Sequence, residues 1–186
     1  CGCPLVSDKA QARFALLERQ LRDEAETLVT SGARLTVIGR RDRLPASLAA
    51  GIAAVEQATA SGRRLHLRIA LDYSSREAIL RAALSLRGEA APSRAHFGQI
   101  LAQQPEGEGT PPEVDLLIRS GGEQRLSDFL LWESAYAELW FTDRLWPDFG
   151  AADLRDAVTA FHGRERRFGG LGAPRPPVEQ PGGTRP

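Results

Sequence analysis

Two kinds of short apolar pattern alternate along this 186-residue chain, and that alternation restricts its fold more than anything else. Residues 8–31 carry Phe14, Leu17, Leu21, Ala25 and Leu28 at spacings of three and four, the period of an amphipathic helix. Ser7 or Asp8 is placed to cap its start and Gly32 to end it. A brief strand pattern follows at Arg34–Ile38, closed by Gly39. Pro45 then opens a second helix with Leu48, Ile52 and Val55 on one face. Leu65, Leu67, Ile69 and Leu71 alternate with other residues at the period of a strand. After Asp72–Arg76 the helical period returns in Ile79, Leu80, Ala83 and Leu86, and Ser93 is placed to cap a helix carrying Phe97, Ile100 and Leu101. Strands that alternate with helices predict an α/β fold with a largely parallel sheet flanked by helices.

Residues 104–113 read as a Pro-, Gly- and Glu-rich loop. Val114–Ile118 is a buried-strand pattern that runs directly into Arg119, Gly121, Gly122, Arg125 and Ser127. An apolar stretch with Trp132 comes next, then Glu138 in an apolar frame. Residues 151–167 predict a last helix with Leu154, Val158 and Phe161 inward and a basic end at Arg164, Arg166 and Arg167. The tail 171–186 is Pro- and Gly-rich and reads as disordered. Residues 1–170 are expected to form a single domain.

Ligands of open parallel sheets sit beyond the carboxyl ends of the strands. Asp72–Arg76 and Arg119–Ser127 both follow such ends, which puts two polar clusters on one rim. A strand ending in Arg, Gly-Gly, Arg and Ser has the composition of an anion-binding turn: glycines allow close approach, guanidiniums grip oxyanions in pairs, and a hydroxyl adds a donor. The same residues also suit a structural turn with surface ion pairs. Glu138 suits either a hard cation such as Mg2+ or a buried ion pair. Asp72 and Arg76 are placed for an ion pair at the strand end. Trp132, Tyr136, Trp140 and Trp146 are expected in the core.

Composition narrows the partners. Lys plus Arg equals Asp plus Glu at 24 each, so nothing points to a nucleic-acid binder. No apolar run is long enough to span a membrane. His66, His96 and His162 are scattered without ligand spacing, and Cys1 and Cys3 are too close for a good disulfide. Methionine is absent, so an ordinary translation start is not expected at Cys1.

The string Ile118-Arg119-x-Gly121-Gly122-Glu123-x-Arg125-Leu126-Ser127-x-Phe129-Leu130-Leu131-Trp132 resembles the C-terminal signature of the cis-prenyltransferases, the family of undecaprenyl diphosphate synthase. Tyr136-Ala137-Glu138-Leu139, Leu145-Trp146-Pro147-Asp148-Phe149 and Arg164-Glu165-Arg166-Arg167-Phe168-Gly169-Gly170 extend the match, as do Arg34-Leu35, Ile38-Gly39, and Tyr73 with Arg76. The resemblance covers roughly residues 14–170. It implies condensation of isopentenyl diphosphate with an allylic diphosphate such as farnesyl diphosphate, with Mg2+, in a cytoplasmic homodimer. Peripheral membrane association through the product is implied as well. By the same resemblance Arg119, Arg125 and Ser127, with Gly121 and Gly122, bind isopentenyl diphosphate. Glu138 serves the metal, and Arg167 and Gly169 reach the partner subunit's phosphate pocket.

The chain departs from the family pattern in places. The Asp-Gly-Asn-Gly-Arg loop that carries the family's catalytic aspartate is absent from these residues, so no catalytic residue is identifiable. Where Asn-Trp-x-Arg-Pro is expected, Cys3–Ser7 has no arginine. Asp72 and Asp128 stand where the family usually has asparagine. Two added carboxylates near a diphosphate site are unfavourable unless arginine or metal compensates. The expectation is therefore a member truncated or degenerate at its N-terminus, lacking the family's first two strands. Such a chain would expose a sheet edge. The alternative expectation is a catalytically silent subunit or degraded copy.

Overall fold

A computed structural model describes residues 8–88, 91, 93–102 and 113–164. Cys1, Cys3–Ser7, Arg167, Gly169, most of the 104–113 loop and the 171–186 tail lie outside the described residues. The chain divides into two compact units. The first holds the described residues up to 102 together with Leu126–Glu133. The second holds Glu113–Arg125 and residues from Ser134 onward.

The first unit is built on β1 (Ala33–Ile38) and β2 (Leu65–Ala70), which pair in parallel with Leu35 opposite Leu67 and Ile38 opposite Ala70. Helix α1 (Asp8–Thr30) and helix α2 (Ala46–Thr59) pack with β1. The apolar periods read from the sequence become the core: Leu21 of α1, Leu35 and Val37 of β1, and Leu48, Ile52 and Val55 of α2 are all buried. Each such aliphatic side chain removed from water contributes about 1.5–3 kcal/mol. Thr59, also buried, donates its hydroxyl to the Val55 carbonyl (2.8 Å) and accepts the Leu35 amide (3.1 Å), joining α2 to the strand. At the end of β1, Gly39 has φ +120°, and a Cβ there would lie 2.0 Å from the Leu71 carbonyl oxygen. Only glycine fits that crossing.

Helices α3 (Ser75–Ser85) and α4 (Arg94–Leu101) begin on serine caps. Ser74 accepts from the Glu77 amide and Ser93 from the His96 amide, each at 3.1 Å. Ala78, Ala82 and Leu101 form their shared core, with Tyr73 and Phe97 against it. The segment Leu126–Glu133 fastens here. Phe129 meets Tyr73 edge-on (ring centroids 5.9 Å apart), and Trp132 meets Phe97 (4.7 Å). The Leu131 amide donates to the Ser75 hydroxyl (2.9 Å).

The second unit contains β3 (Leu116–Arg119) and β4 (Glu138–Phe141), paired in parallel with Leu116 opposite Glu138 and Arg119 opposite Phe141. A single 3-10 turn at Trp146–Asp148 leads to helix α5 (Ala151–His162). The α/β class and the parallel pairing agree with the reading of the sequence. Strand β4 is an addition, and β3 sits one to two residues later than its sequence pattern.

Three other expectations are corrected. Helix α5 turns Asp153, Ala157, Ala160 and Phe161 inward; Ala157 is fully buried, whereas Leu154 and Val158 are exposed. Trp132, Tyr136 and Trp146 are not core residues: they are 43%, 66% and 75% exposed, and Trp140 is half-buried. Trp132 is covered on one side by Phe97, and Trp146 stacks on Phe149 at the surface. Asp72 and Arg76 do not pair; Asp72 lies 3.1 Å from Arg43, and Arg76 4.0 Å from Asp128. No described helix is long and apolar enough to cross a membrane.

Candidate anion-binding site and apolar groove

Strand β3 ends on Arg119, and the chain reverses immediately. Gly121 and Gly122 both have positive φ (+91° and +79°), which glycine adopts without strain. Their amides donate to the carbonyls of Arg144 (2.9 Å) and Thr142 (3.0 Å) in the loop after β4. These glycines therefore shape the turn, and their N–H groups are already engaged. The turn brings Glu123 and Arg125 back beside Arg119. One Arg119 nitrogen donates to the Arg125 carbonyl (2.6 Å) and another to the Glu123 carboxylate. The other Glu123 oxygen accepts from Arg125 (2.5 Å). Two guanidiniums thus converge on one carboxylate at the carboxyl end of a parallel strand. The Arg119 side chain is 19% exposed and that of Arg125 65%, so one is set in the fold and the other projects. The hydrogen bond from Arg125, then that from Arg119, holds the Glu123 carboxyl below its usual pKa range. The spacing of the charges did not assign Glu123 a role, because a carboxylate between two arginines in a loop carries no periodic signal.

Ser127 lies in the segment of the first unit that starts one residue after Arg125, and it is exposed. Next to it, Asp128 does not stand free. Its carboxylate accepts from the Ser74 hydroxyl (2.6 Å) and the Arg76 amide (2.8 Å) at the N-terminus of α3. Those two bonds, Ser74 first, hold its pKa below the ordinary carboxylate range. Asp72 is likewise answered by Arg43. Both carboxylates that seemed unfavourable from the sequence are compensated locally, by arginine and by a helix start.

Glu138 begins β4 opposite Leu116, whereas Arg119 sits at the far end of the pair, opposite Phe141. Three residues of strand put them about 10 Å apart along the strand direction. The Glu138 carboxylate accepts from Arg164 (2.7 Å), which also donates to the Leu139 carbonyl (3.2 Å). Among the described residues no three His, Cys, Asp or Glu side chains are grouped to hold a metal. A single carboxylate already engaged by arginine, away from the arginine pair, does not fit Mg2+ by itself. Arg167 and Gly169, expected at a partner's phosphate pocket, lie outside the described residues.

The first unit carries an open groove of about 580 Å3 between α1 and the β1–β2 sheet. Leu16, Leu17, Leu21, Leu28, Leu35, Leu67 and Ile69 line it, with Arg13, Gln20 and Glu24 as its polar members. The outward side of α1 supplies Leu16, which is half exposed, and β2 supplies Leu67. Such a surface has the apolar character of a hydrocarbon-binding groove. A second cleft, of about 380 Å3, is lined by Arg40, Arg41 and Arg81. Its arginines are answered by Asp42, Glu56 and Glu77, so it presents little free charge.

Residues 7–169 match the model of the prenyltransferase family described as "Putative undecaprenyl diphosphate synthase". "Isoprenyl transferase 1" of Bradyrhizobium diazoefficiens is 57% identical over 162 residues, which are 87% of this chain and 64% of that protein. A "Ditrans,polycis-undecaprenyl-diphosphate synthase ((2E,6E)-farnesyl-diphosphate specific)" of Xanthomonas axonopodis pv. citri is 41% identical over 165 residues, again 87% of this chain and 64% of the relative. The chain thus spans a little under two thirds of the length of these relatives. Among solved structures, lavandulyl diphosphate synthase from Lavandula x intermedia in complex with dimethylallyl diphosphate superposes with a TM-score of 0.77 at 34% identity, covering 89% of this chain and 74% of that one. With a family match over most of its length, the chain belongs to the cis-prenyltransferases, the family of the undecaprenyl diphosphate synthases.

Proposed function

We propose that this protein takes part in prenyl-chain extension, holding isopentenyl diphosphate for condensation with an allylic diphosphate such as farnesyl diphosphate. The observation that carries this reading is the convergence of Arg119 and Arg125 on one carboxylate at the end of β3. Two guanidiniums on a shared anion are what a diphosphate requires. The relatives' names support the substrate class: one is a farnesyl-diphosphate-specific synthase, and another protein of this fold is a complex with dimethylallyl diphosphate.

In the proposed reaction the allylic C1–O bond breaks, giving an allylic cation and pyrophosphate. The isopentenyl double bond attacks the cation, a new C–C bond forms, and a proton is lost to leave a cis double bond. Arg119 and Arg125 would hold the isopentenyl diphosphate and fix the direction of attack, and the family resemblance gives Ser127 the same role. The groove between α1 and the sheet would shelter the growing apolar chain. Mg2+, when bound, would neutralise diphosphate charge. Glu138 is the carboxylate proposed for it, but the described residues alone do not fit the ion, and Arg164 would have to release that carboxylate.

A cytoplasmic homodimer that meets the membrane through its product completes the proposal. The dimer is supported by Tyr136, Leu145 and Trp146 of the second unit, large side chains left exposed that a second copy would cover. Sedimentation as a monomer at micromolar concentration would refute the dimer.

The functional test is incorporation of labelled isopentenyl diphosphate with farnesyl diphosphate. Extension should fall by about 100-fold or more in Arg119→Ala and in Arg125→Ala, the scale expected when a group that positions a reacting substrate is lost. Undiminished extension in both variants would exclude the assignment.

A further inference from the structure

We propose that Glu123 occupies the diphosphate grip as an internal placeholder, competing for Arg119 and Arg125 until a substrate diphosphate displaces it. This rests on reading the two arginines as the isopentenyl diphosphate grip. Glu123 gives one carboxylate oxygen to each guanidinium, which is the bridging contact a diphosphate would make. The Gly121–Gly122 reversal is what returns Glu123 to Arg119, and the Arg119–Arg125 carbonyl bond closes the same loop. Displacement should also be easy. Exposed ion pairs are weak, and a diphosphate brings more charge and more acceptor oxygens than one carboxylate. Because Glu123 is ionised throughout the neutral range, the placeholder is always present as a competitor.

The probe is inorganic pyrophosphate, titrated calorimetrically into the 186-residue chain at fixed ionic strength. Glu123→Gln keeps the size and removes the charge. It should bind pyrophosphate about fivefold more tightly than the parent, and its KM for isopentenyl diphosphate should fall while kcat does not rise. Glu123→Asp keeps the charge and should stay close to the parent. Equal or weaker pyrophosphate binding by Glu123→Gln overturns the proposal, since a purely supporting residue would weaken the grip when altered. If that variant fails to fold, the parent protein still decides the matter. The carboxyl 13C resonance of Glu123 should shift as pyrophosphate saturates the site, and an unmoved resonance overturns the proposal as well. Arg119→Ala separates the two levels of inference. Pyrophosphate binding that survives in it removes the diphosphate grip itself. Loss in Arg119→Ala without a gain in Glu123→Gln removes only the placeholder.

Discussion

Asp128 shows how far a single residue can be read from sequence. As a carboxylate at a position the family usually gives to asparagine, it looked like an uncompensated charge beside an anion site. In the fold it accepts from Ser74 and from the Arg76 amide at the start of α3. Those partners come from residues more than fifty positions earlier, so no local pattern announces them. The consequence is a pH dependence of known sign. A carboxylate whose folded pKa is depressed contributes stability above its unfolded pKa, and that contribution is lost as pH falls through the folded value. Asp128→Asn should therefore lower the melting temperature at pH 7. It should also flatten the drop in melting temperature between neutral pH and the acid range below the ordinary carboxylate pKa. Parallel melting curves for parent and variant across that range would contradict the role given to Asp128. Arg119 and Arg125 were legible from their types and from the family motif as an expected anion grip, and the fold brings them together on Glu123. The carboxylate between them and the Arg164 partner of Glu138 were not, because both depend on how loops return.

Elements with a strong period were legible, and weak ones were not. Helices α1 and α2 and strand β1 follow their apolar spacing almost residue for residue, because each buries the face that the spacing defines. Ile52 lies fully buried at the centre of that packing. Ile52→Ala should destabilise the first unit by about 2–5 kcal/mol, the usual range for emptying such a site, measured by urea unfolding. A loss below about 1 kcal/mol would mean that the α2 contact is not a core contact. Strand β4 is four half-buried residues starting on a charged one, and it has no period to detect. Helix α5 had a period, but Phe161 alone of its three large apolar residues shares the inward face with Ala157, and Leu154 and Val158 stay exposed. The large aromatics failed as core markers because Trp132 and Trp146 have only one ring partner each among the aromatic contacts, leaving much of their area in water.

At the scale of the whole molecule, two features bear on the proposed chemistry: an arginine pair at the end of β3 and an apolar face of α1. The groove beside α1 is where the second becomes a surface. The metal expectation fared differently, since a carboxylate's identity says nothing about its neighbours, and Glu138 turns to Arg164. The central claim is that Arg119 and Arg125 together form a diphosphate grip, and calorimetric binding of isopentenyl diphosphate tests it most directly. The parent chain should bind it. Arg119→Ala and Arg125→Ala should each weaken binding by about tenfold or more, and the double variant by less than the product of the two, since the residues share one anion. Binding unchanged in both single variants would contradict the account.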